Sequence, residues 1–246
     1  MAKGIFIVGT DTDVGKTVVT AGLVYLLRKN GYHAASFKAV QSGGIQWEEK
    51  LVSSDARFVK EVSQWEEVQE NICGYCLKTP VSPHLAARLE GLKLEKSVIL
   101  EKYQALCNQY DYVIVEGSGG LIVPLINPNY MVHHLVKDLD LPVVVVARTG
   151  VGTINHTVLT VKYGQHMGLE VKGIIMNGYT GKIAEKDNMQ VIQDLTGVPV
   201  IGVINRLQGI DVEKGAFGNL REEFERKIDM KVFLKMMKET KGCGRK

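Results

Sequence analysis

The sequence has no apolar run approaching the roughly 20 residues needed to cross a bilayer, so no membrane span is expected. It also lacks the pattern of a signal peptide. One lysine precedes a five-residue apolar run and a glycine-rich loop, which leads to the expectation of a cytoplasmic protein. No stretch is linker-like or low in complexity, and no internal repeat is visible. One domain is therefore expected over residues 1–246, with a basic helical C-terminal extension at about 219–246. Cysteine is sparse, with four in 246 residues. Cys73 and Cys76 form a single C-x-x-C with no second pair to complete a zinc site. Their strand-like surroundings, Asn71 to Leu77, put cysteines three apart on opposite faces, so they read as small buried hydrophobes. Cys107 and Cys243 are isolated.

A basic body is missing as well. The net charge is +3, yet Arg226 to Lys246 holds eight Lys/Arg against two acids, which leaves −3 for residues 1–225. A slightly acidic body does not suit a nucleic-acid groove. The basic tail reads as the solvated end of a helix, where positive charge meets the helix dipole favourably. Neither nucleic acid nor membrane is expected as a partner.

What is present is an alternation. Hydrophobic residues make up 45% of the chain and charged residues 23%, as in ordinary globular proteins. Gly4 to Val8, Tyr112 to Val115, Pro142 to Ala147, Val171 to Met176 and Val198 to Val203 are short apolar runs of the kind buried on both faces of a parallel sheet. His33 to Phe37 reads as a further strand. Helical spacing appears at 18–30, 53–62, 83–90, 94–109, 152–167 and 185–196. This order predicts an α/β fold, a doubly wound, mostly parallel sheet with helices on both faces.

The most informative stretch is Gly9-Thr10-Asp11-Thr12-Asp13-Val14-Gly15-Lys16-Thr17. It lies between a strand and a helix, the context that makes a phosphate-binding loop. Backbone N–H groups at the helix start would surround a phosphate, Lys16 would reach the β/γ oxygens, and the Thr17 hydroxyl would ligate Mg²⁺. The loop is a lengthened variant, with Thr10 where the first glycine usually stands and two acids and Thr12 inside it. In such sheets ligands bind outside the carboxyl ends of the strands. That rule gathers the loop, Lys38 to Gly44, Glu116 to Gly120, Arg148 to Asn155 and Asn177 onto one edge. Glu116 is a candidate Mg²⁺ ligand or a solvated turn residue. Lys38 would add positive charge near a transferred phosphate, although alone it reads as a surface lysine. Asp55 is either a helix cap or a metal ligand. Gly152 to His156 opens a helix whose free N–H groups suit an anion. His156 itself reads as packed or hydrogen-bonded, and His133, His134 and His166 receive no role.

Six segments together resemble the dethiobiotin synthetase family: residues 9–17, Phe-Lys-Ala-Val-Gln-Ser-Gly at 37–43, Ser-Asp-Ala at 54–56, Pro-Val-Ser-Pro-His at 80–84, Val-Glu-Gly-Ser-Gly-Gly at 115–120 and Gly-Thr-Ile-Asn-His at 152–156. The match runs in order from residue 4 to about 204. The resemblance implies a phosphate-loop NTPase fold and an ATP- and Mg²⁺-dependent ligase. It would carboxylate 7,8-diaminononanoate with CO₂ and close the ureido ring, as a homodimer with substrate sites at its interface. By the same resemblance, Asp13, Val14, Gly15, Lys16, Thr17 and Val18 would bind the nucleotide phosphates and Asn177 the adenine. Thr17, Asp55 and Glu116 match the metal positions, while Thr12, Lys16 and Lys38 match the catalytic ones. Ser42, Pro80 and Ser82 would line the diamine, and Gly152, Thr153 and Asn155 would receive its carboxylate, from the partner subunit. Two departures stand out. The family usually has a proline where Val203-Ile204-Asn205 ends its strand, and the segment from about Gln208 is longer and more basic. Amidating ligases of the same superfamily carry a glutaminase domain for which this chain has no room. Partitioning and division-site ATPases place an early lysine in a Lys-Gly-Gly pattern, where this chain has Thr-Asp-Thr.

Overall fold

The apolar runs at 5–8, 113–115 and 143–147 form the middle of a single sheet in the computed structural model, which describes residues 1–240. Its order is Val200–Asn205, Val171–Tyr179, Val143–Arg148, Lys3–Gly9, Tyr112–Glu116, Ala34–Gln41 and Cys73–Cys76. All of these neighbours pair in parallel. The central runs are continuous because both faces are covered. Ile5, Phe6, Ile7 and Val8 all have zero exposure, and burying such side chains stabilises the fold by roughly 1.5–3 kcal/mol each.

Strand periodicity sorts these residues into two cores. Ile5, Ile7, Ile114, Val144 and Val146 pack with side chains of helices Lys16–Lys29, Ser54–Ser63 and Leu220–Lys227. Phe6, Val8, Val113, Val115 and Val145 pack with those of helices Lys96–Gln109, Val132–Leu139, Thr153–His166 and Ile183–Thr196. The sheet is doubly wound, with helices on both faces, as the sequence pattern predicts. Helix Lys16–Lys29 is mostly buried, ends in basic Arg28 and Lys29, and sits close to helix Leu220–Lys227. A Cβ on Gly22 would come within 2.3 Å of the Phe224 ring, so only glycine permits that approach.

Several elements go beyond the sequence reading. Helix Val132–Leu139 and three hairpins (Ile45–Trp47 with Lys50–Val52, Pro124–Asn127 with Tyr130–Met131, Ile210–Asp211 with Ala216–Phe217) have strands of two to four residues or short helical runs. Segments this short carry too little periodicity to register. The C-terminal part is not continuously helical. Leu220–Lys227 stops at Ile228, and Asp229 caps a second helix, Met230–Met236, by accepting from the N–H groups of Lys231 and Val232. Lys238–Glu239 then adds antiparallel to Lys3 and Gly4, at the amino end of the central strand. Residues 241–246 of that extension, with Cys243, lie outside the described residues.

Candidate active site

Parallel pairing puts the carboxyl ends of Lys3–Gly9, Ala34–Gln41, Tyr112–Glu116, Val143–Arg148 and Val171–Tyr179 on one edge. The phosphate-loop segment is pinned there at its root: the Gly9 N–H donates to the Gly119 carbonyl at 3.2 Å and that of Thr10 to Val146 at 3.0 Å. The loop turns through two left-handed residues, Asp13 (φ 56°) and Gly15 (φ 93°). Gly15 has a second reason to be glycine, since a Cβ would fall 2.0 Å from Asn177 Nδ2. That amide donates to the Val14 carbonyl at 2.9 Å, so Asn177 stitches the loop from behind. Lys16 is buried and its ammonium donates to the Asp11 carbonyl at 3.0 Å. Burial, and then the nearby Lys38 charge, lowers its pKa.

Beside the loop lies a buried ion cluster. Lys38 Nζ is 2.5 Å from Asp55 Oδ2 and 2.8 Å from Glu116 Oε1, and Thr17 Oγ1 donates to that same Glu116 oxygen at 2.8 Å. The readings of a surface lysine, a solvated turn and a helix cap are excluded here. Lys38 and Glu116 are 6% and 2% exposed, so neither is a surface or solvated-turn residue. Ser53, not Asp55, caps helix Ser54–Ser63 by accepting from the Ala56 N–H at 3.1 Å. Burial works against the Lys38 charge, but Asp55 and Glu116 outweigh it and hold its pKa above the usual lysine range. Burial pushes the Glu116 pKa up against the pull of Lys38. For Asp55 burial also pushes upward, and Lys38 overcomes it to bring the pKa down. Each charge costs several kcal/mol to desolvate, and the cluster persists because its members are paired.

One cleft of about 750 Å³ brings together Thr12, Asp13, Gly15, Lys16, Thr17, Val18, Lys38, Ser42, Asp55, Pro80, Ser82 and Glu116. Val14 is buried beneath the loop, and Asn177 stands behind it. Gly152, Thr153 and Asn155 do not line this cleft. Gly152 (φ 87°) precedes helix Thr153–His166, Thr153 is buried with its hydroxyl donating to the Arg148 carbonyl at 2.5 Å, and Asn155 is exposed. His156 is exposed rather than packed, because its helix turns that face outward. Cys73 is buried and Cys76 half-buried, and burial pushes their thiols up to about 12 and about 11, so both stay protonated.

The cleft and its rim also hold residues to which the sequence reading gives no individual role. Val212 and Glu213, from the tip of the Ile210–Phe217 hairpin, close one end. Arg148 Nη2 donates to the Thr12 carbonyl at 3.0 Å, bracing the inserted part of the loop. Its place at a strand's carboxyl end was a usable signal. Ser118 Oγ donates to the Val40 carbonyl at 2.5 Å and ties two edge segments together. Elsewhere His133 is buried against Tyr163 and His134, away from the cleft lining.

A family model described as an AAA domain matches residues 3–214. The ATP-dependent dethiobiotin synthetase BioD of Clostridium kluyveri is 44% identical over 242 residues, covering 97% of this chain and all of that protein. That of Bacillus subtilis is 40% identical over 213 residues, covering 86% of this chain and 90% of the relative. The chain belongs to the dethiobiotin synthetase family. It is an ATP-dependent ligase of that family, and the C. kluyveri alignment takes in nearly the whole C-terminal segment. In fold it is similar to a ParA family ATPase from Chlorobium tepidum (TM-score 0.59, 12% identity, 91% of this chain and 97% of the other). MinD of Aquifex aeolicus is similar too (TM-score 0.55, 15% identity, 91% and 94%). Those likenesses concern the fold alone. In this chain Thr12 of the Thr-Asp-Thr insert and the Lys38 cluster both face the cleft.

Proposed function

We propose that the cleft carries out the family reaction on 7,8-diaminononanoate, CO₂ and ATP, giving dethiobiotin, ADP and phosphate. One observation carries the assignment to these residues. Thr12, Lys16, Lys38 and the Asp55–Glu116 pair face one cleft, although they come from four separate segments. An amine of the substrate attacks CO₂ and loses a proton to become a carbamate. The carbamate oxygen attacks the γ-phosphorus and ADP departs. The second amine then attacks the carbonyl carbon, and phosphate leaves as the ring closes. Carbamate and γ-phosphate are both anionic, so the site must hold them in line and offset the charge that develops. Thr12 donates to the carbamate, Lys16 and Lys38 flank the transferring phosphoryl group, and the backbone of Asp13 to Val18 receives the phosphates. Asn177 faces the adenine side, and Ser42, Pro80 and Ser82 line the path of the diamine chain.

The donor set of Thr17, Asp55 and Glu116 fits Mg²⁺: two buried carboxylates and a hydroxyl are hard oxygen ligands, and phosphate and water complete such a shell. Bound there, the ion would neutralise phosphate charge. No group of three or more His, Cys, Asp or Glu suited to a metal exists among the described residues, which favours an ion shared with the nucleotide. Gly152, Thr153 and Asn155 do not line their own cleft, and Val151 and Leu159 beside them are exposed apolar residues. This supports a homodimer in which each chain's helix start receives the carboxylate of substrate in the other cleft. The whole chain then works as one ligase unit in the cytoplasm; no described helix is long and apolar enough to cross a membrane. An assay with diaminononanoate, bicarbonate and Mg-ATP, read by mass for dethiobiotin, tests the assignment. Product is expected from the wild type and at background level from Lys38→Met; equal product from both would remove Lys38 from the chemistry.

A further inference from the structure

Helix Ser54–Ser63 presents Asp55 to the cleft, while Val212 and Glu213 close the cleft's other side from a hairpin over 150 residues later in the chain. Two arginines fasten these distant parts together. Arg57, one half-turn after Asp55, donates from Nε to Glu61 at 2.7 Å and from Nη1 to the Glu213 carbonyl at 3.4 Å. Its guanidinium lies 3.6 Å from the centroid of the Trp47 ring, which covers its outer face. At the other end of the helix Arg221 donates to the carbonyls of Val62 (2.8 Å) and Glu61 (3.1 Å), two of the carbonyls that a helix end leaves unpaired. The same guanidinium lies 4.6 Å from the Phe217 ring, the last residue of the hairpin. The hairpin tip is fitted to the helix: Gly215 (φ 75°) would place a Cβ 1.9 Å from Glu61 Oε2.

We propose that Arg57 is a positioning residue for the nucleoside end of ATP. It holds the Val212–Glu213 wall against the helix that carries Asp55, so that the wall and the metal carboxylate keep one spacing. Arg suits the place because its planar group can stack on Trp47 while its fork reaches a carboxylate and a carbonyl together. Lysine offers a single point charge and loses the stack. The inference rests on the cleft being the ATP site, with the nucleoside on the side of Asn177, whose strand pairs with Val200–Asn205, the strand that leads to the hairpin. It goes further in making Arg57, outside the cleft lining, the brace of that wall.

The test compares ATP with inorganic tripolyphosphate, which needs only the phosphate loop. Binding of each, with Mg²⁺, is titrated calorimetrically for the wild type, Arg57→Ala, Arg57→Lys and Gly215→Ala, with thermal unfolding followed alongside. Both Arg57→Ala and Gly215→Ala are expected to weaken ATP by about tenfold, the scale of one lost charged hydrogen bond, and to leave tripolyphosphate within about twofold. Arg57→Lys should fall between Arg57→Ala and the wild type. Parallel loss of both ligands, or unchanged ATP affinity in Arg57→Ala and Gly215→Ala, would overturn the positioning role while leaving the ATP site standing. A wild type that binds neither ligand would instead remove the ATP site, and the inference with it.

Discussion

Lys16 and Thr17 each have a single job in this account, and each can be removed without touching a core. Lys16→Ala deletes the ammonium that now rests on the Asp11 carbonyl. Groups that stabilise transition-state charge are worth roughly 3 kcal/mol or more, so turnover should fall by at least about a hundredfold while the circular dichroism spectrum stays that of the wild type. Near-normal product from this variant would refute the phosphate role. Thr12 separates substrate chemistry from nucleotide binding. Thr12→Val keeps the volume and removes one donor, and a hydrogen bond to a charged group contributes about 1.5–3 kcal/mol. Dethiobiotin formation should drop on the order of ten- to a hundredfold with ATP affinity nearly unchanged; joint collapse of both would make Thr12 merely a loop residue. Asp55→Asn and Glu116→Gln weaken a two-carboxylate donor set that also holds Lys38. Each variant should need more Mg²⁺ for half-maximal rate and recover part of its loss at high Mg²⁺. A defect that ignores Mg²⁺ concentration would exclude a metal role for that residue.

Among the elements, the loops at the strand ends depend on polar staples, and Glu185 is the clearest. Its carboxylate accepts from Thr149 Oγ1 at 2.7 Å, and from the N–H groups of Thr180 and Lys182 at 3.0 Å each. It thereby ties the start of helix Ile183–Thr196 to the loops after strands Val143–Arg148 and Val171–Tyr179. Burial opposes its charge, but these bonds outweigh burial and bring its pKa down from 4.5 to about 2. A depressed carboxylate contributes stability that is complete above the unfolded value and is lost as pH falls through the folded one. The loss should therefore run from about pH 4.5 to about pH 2. Glu185→Gln is expected to lower stability at pH 7 by about 1.5 kcal/mol or more and to flatten that acid limb. Denaturant melts at several pH values check it, and an unchanged slope below pH 4.5 would contradict the staple. Strands such as Val143–Arg148 were legible in the sequence because a run buried on both faces leaves a continuous apolar signature. The hairpin Ile210–Phe217 was not, since its strands have two residues each and its anchors, Arg57 and Arg221, lie elsewhere in the chain.

For the whole molecule, motif and topology bring the phosphate loop, Lys38 and Glu116 to one strand edge in the sequence reading, whereas only the family resemblance singles out Asp55. The sequence could not show that Lys38 sits between the two carboxylates, or that Arg148 braces Thr12. Those are long-range side-chain contacts with no local pattern. Nor does one chain's cleft include Gly152, Thr153 and Asn155, so completeness of the site is a question about the assembly. If the homodimer supplies them, inactive Lys16→Ala chains mixed with inactive Asn155→Ala chains should regain activity, since one of the two clefts in a mixed dimer has neither defect. No recovery after subunit exchange would place the carboxylate site within a single chain. The most direct measurement is the stoichiometry of the wild-type reaction with diaminononanoate, bicarbonate and Mg-ATP, followed by mass and by phosphate release. The account predicts one dethiobiotin for each ADP and phosphate, with release of phosphate abolished when the diamine or bicarbonate is left out. Steady ATP hydrolysis without the diamine, and no dethiobiotin with it, would contradict the ligase site described here.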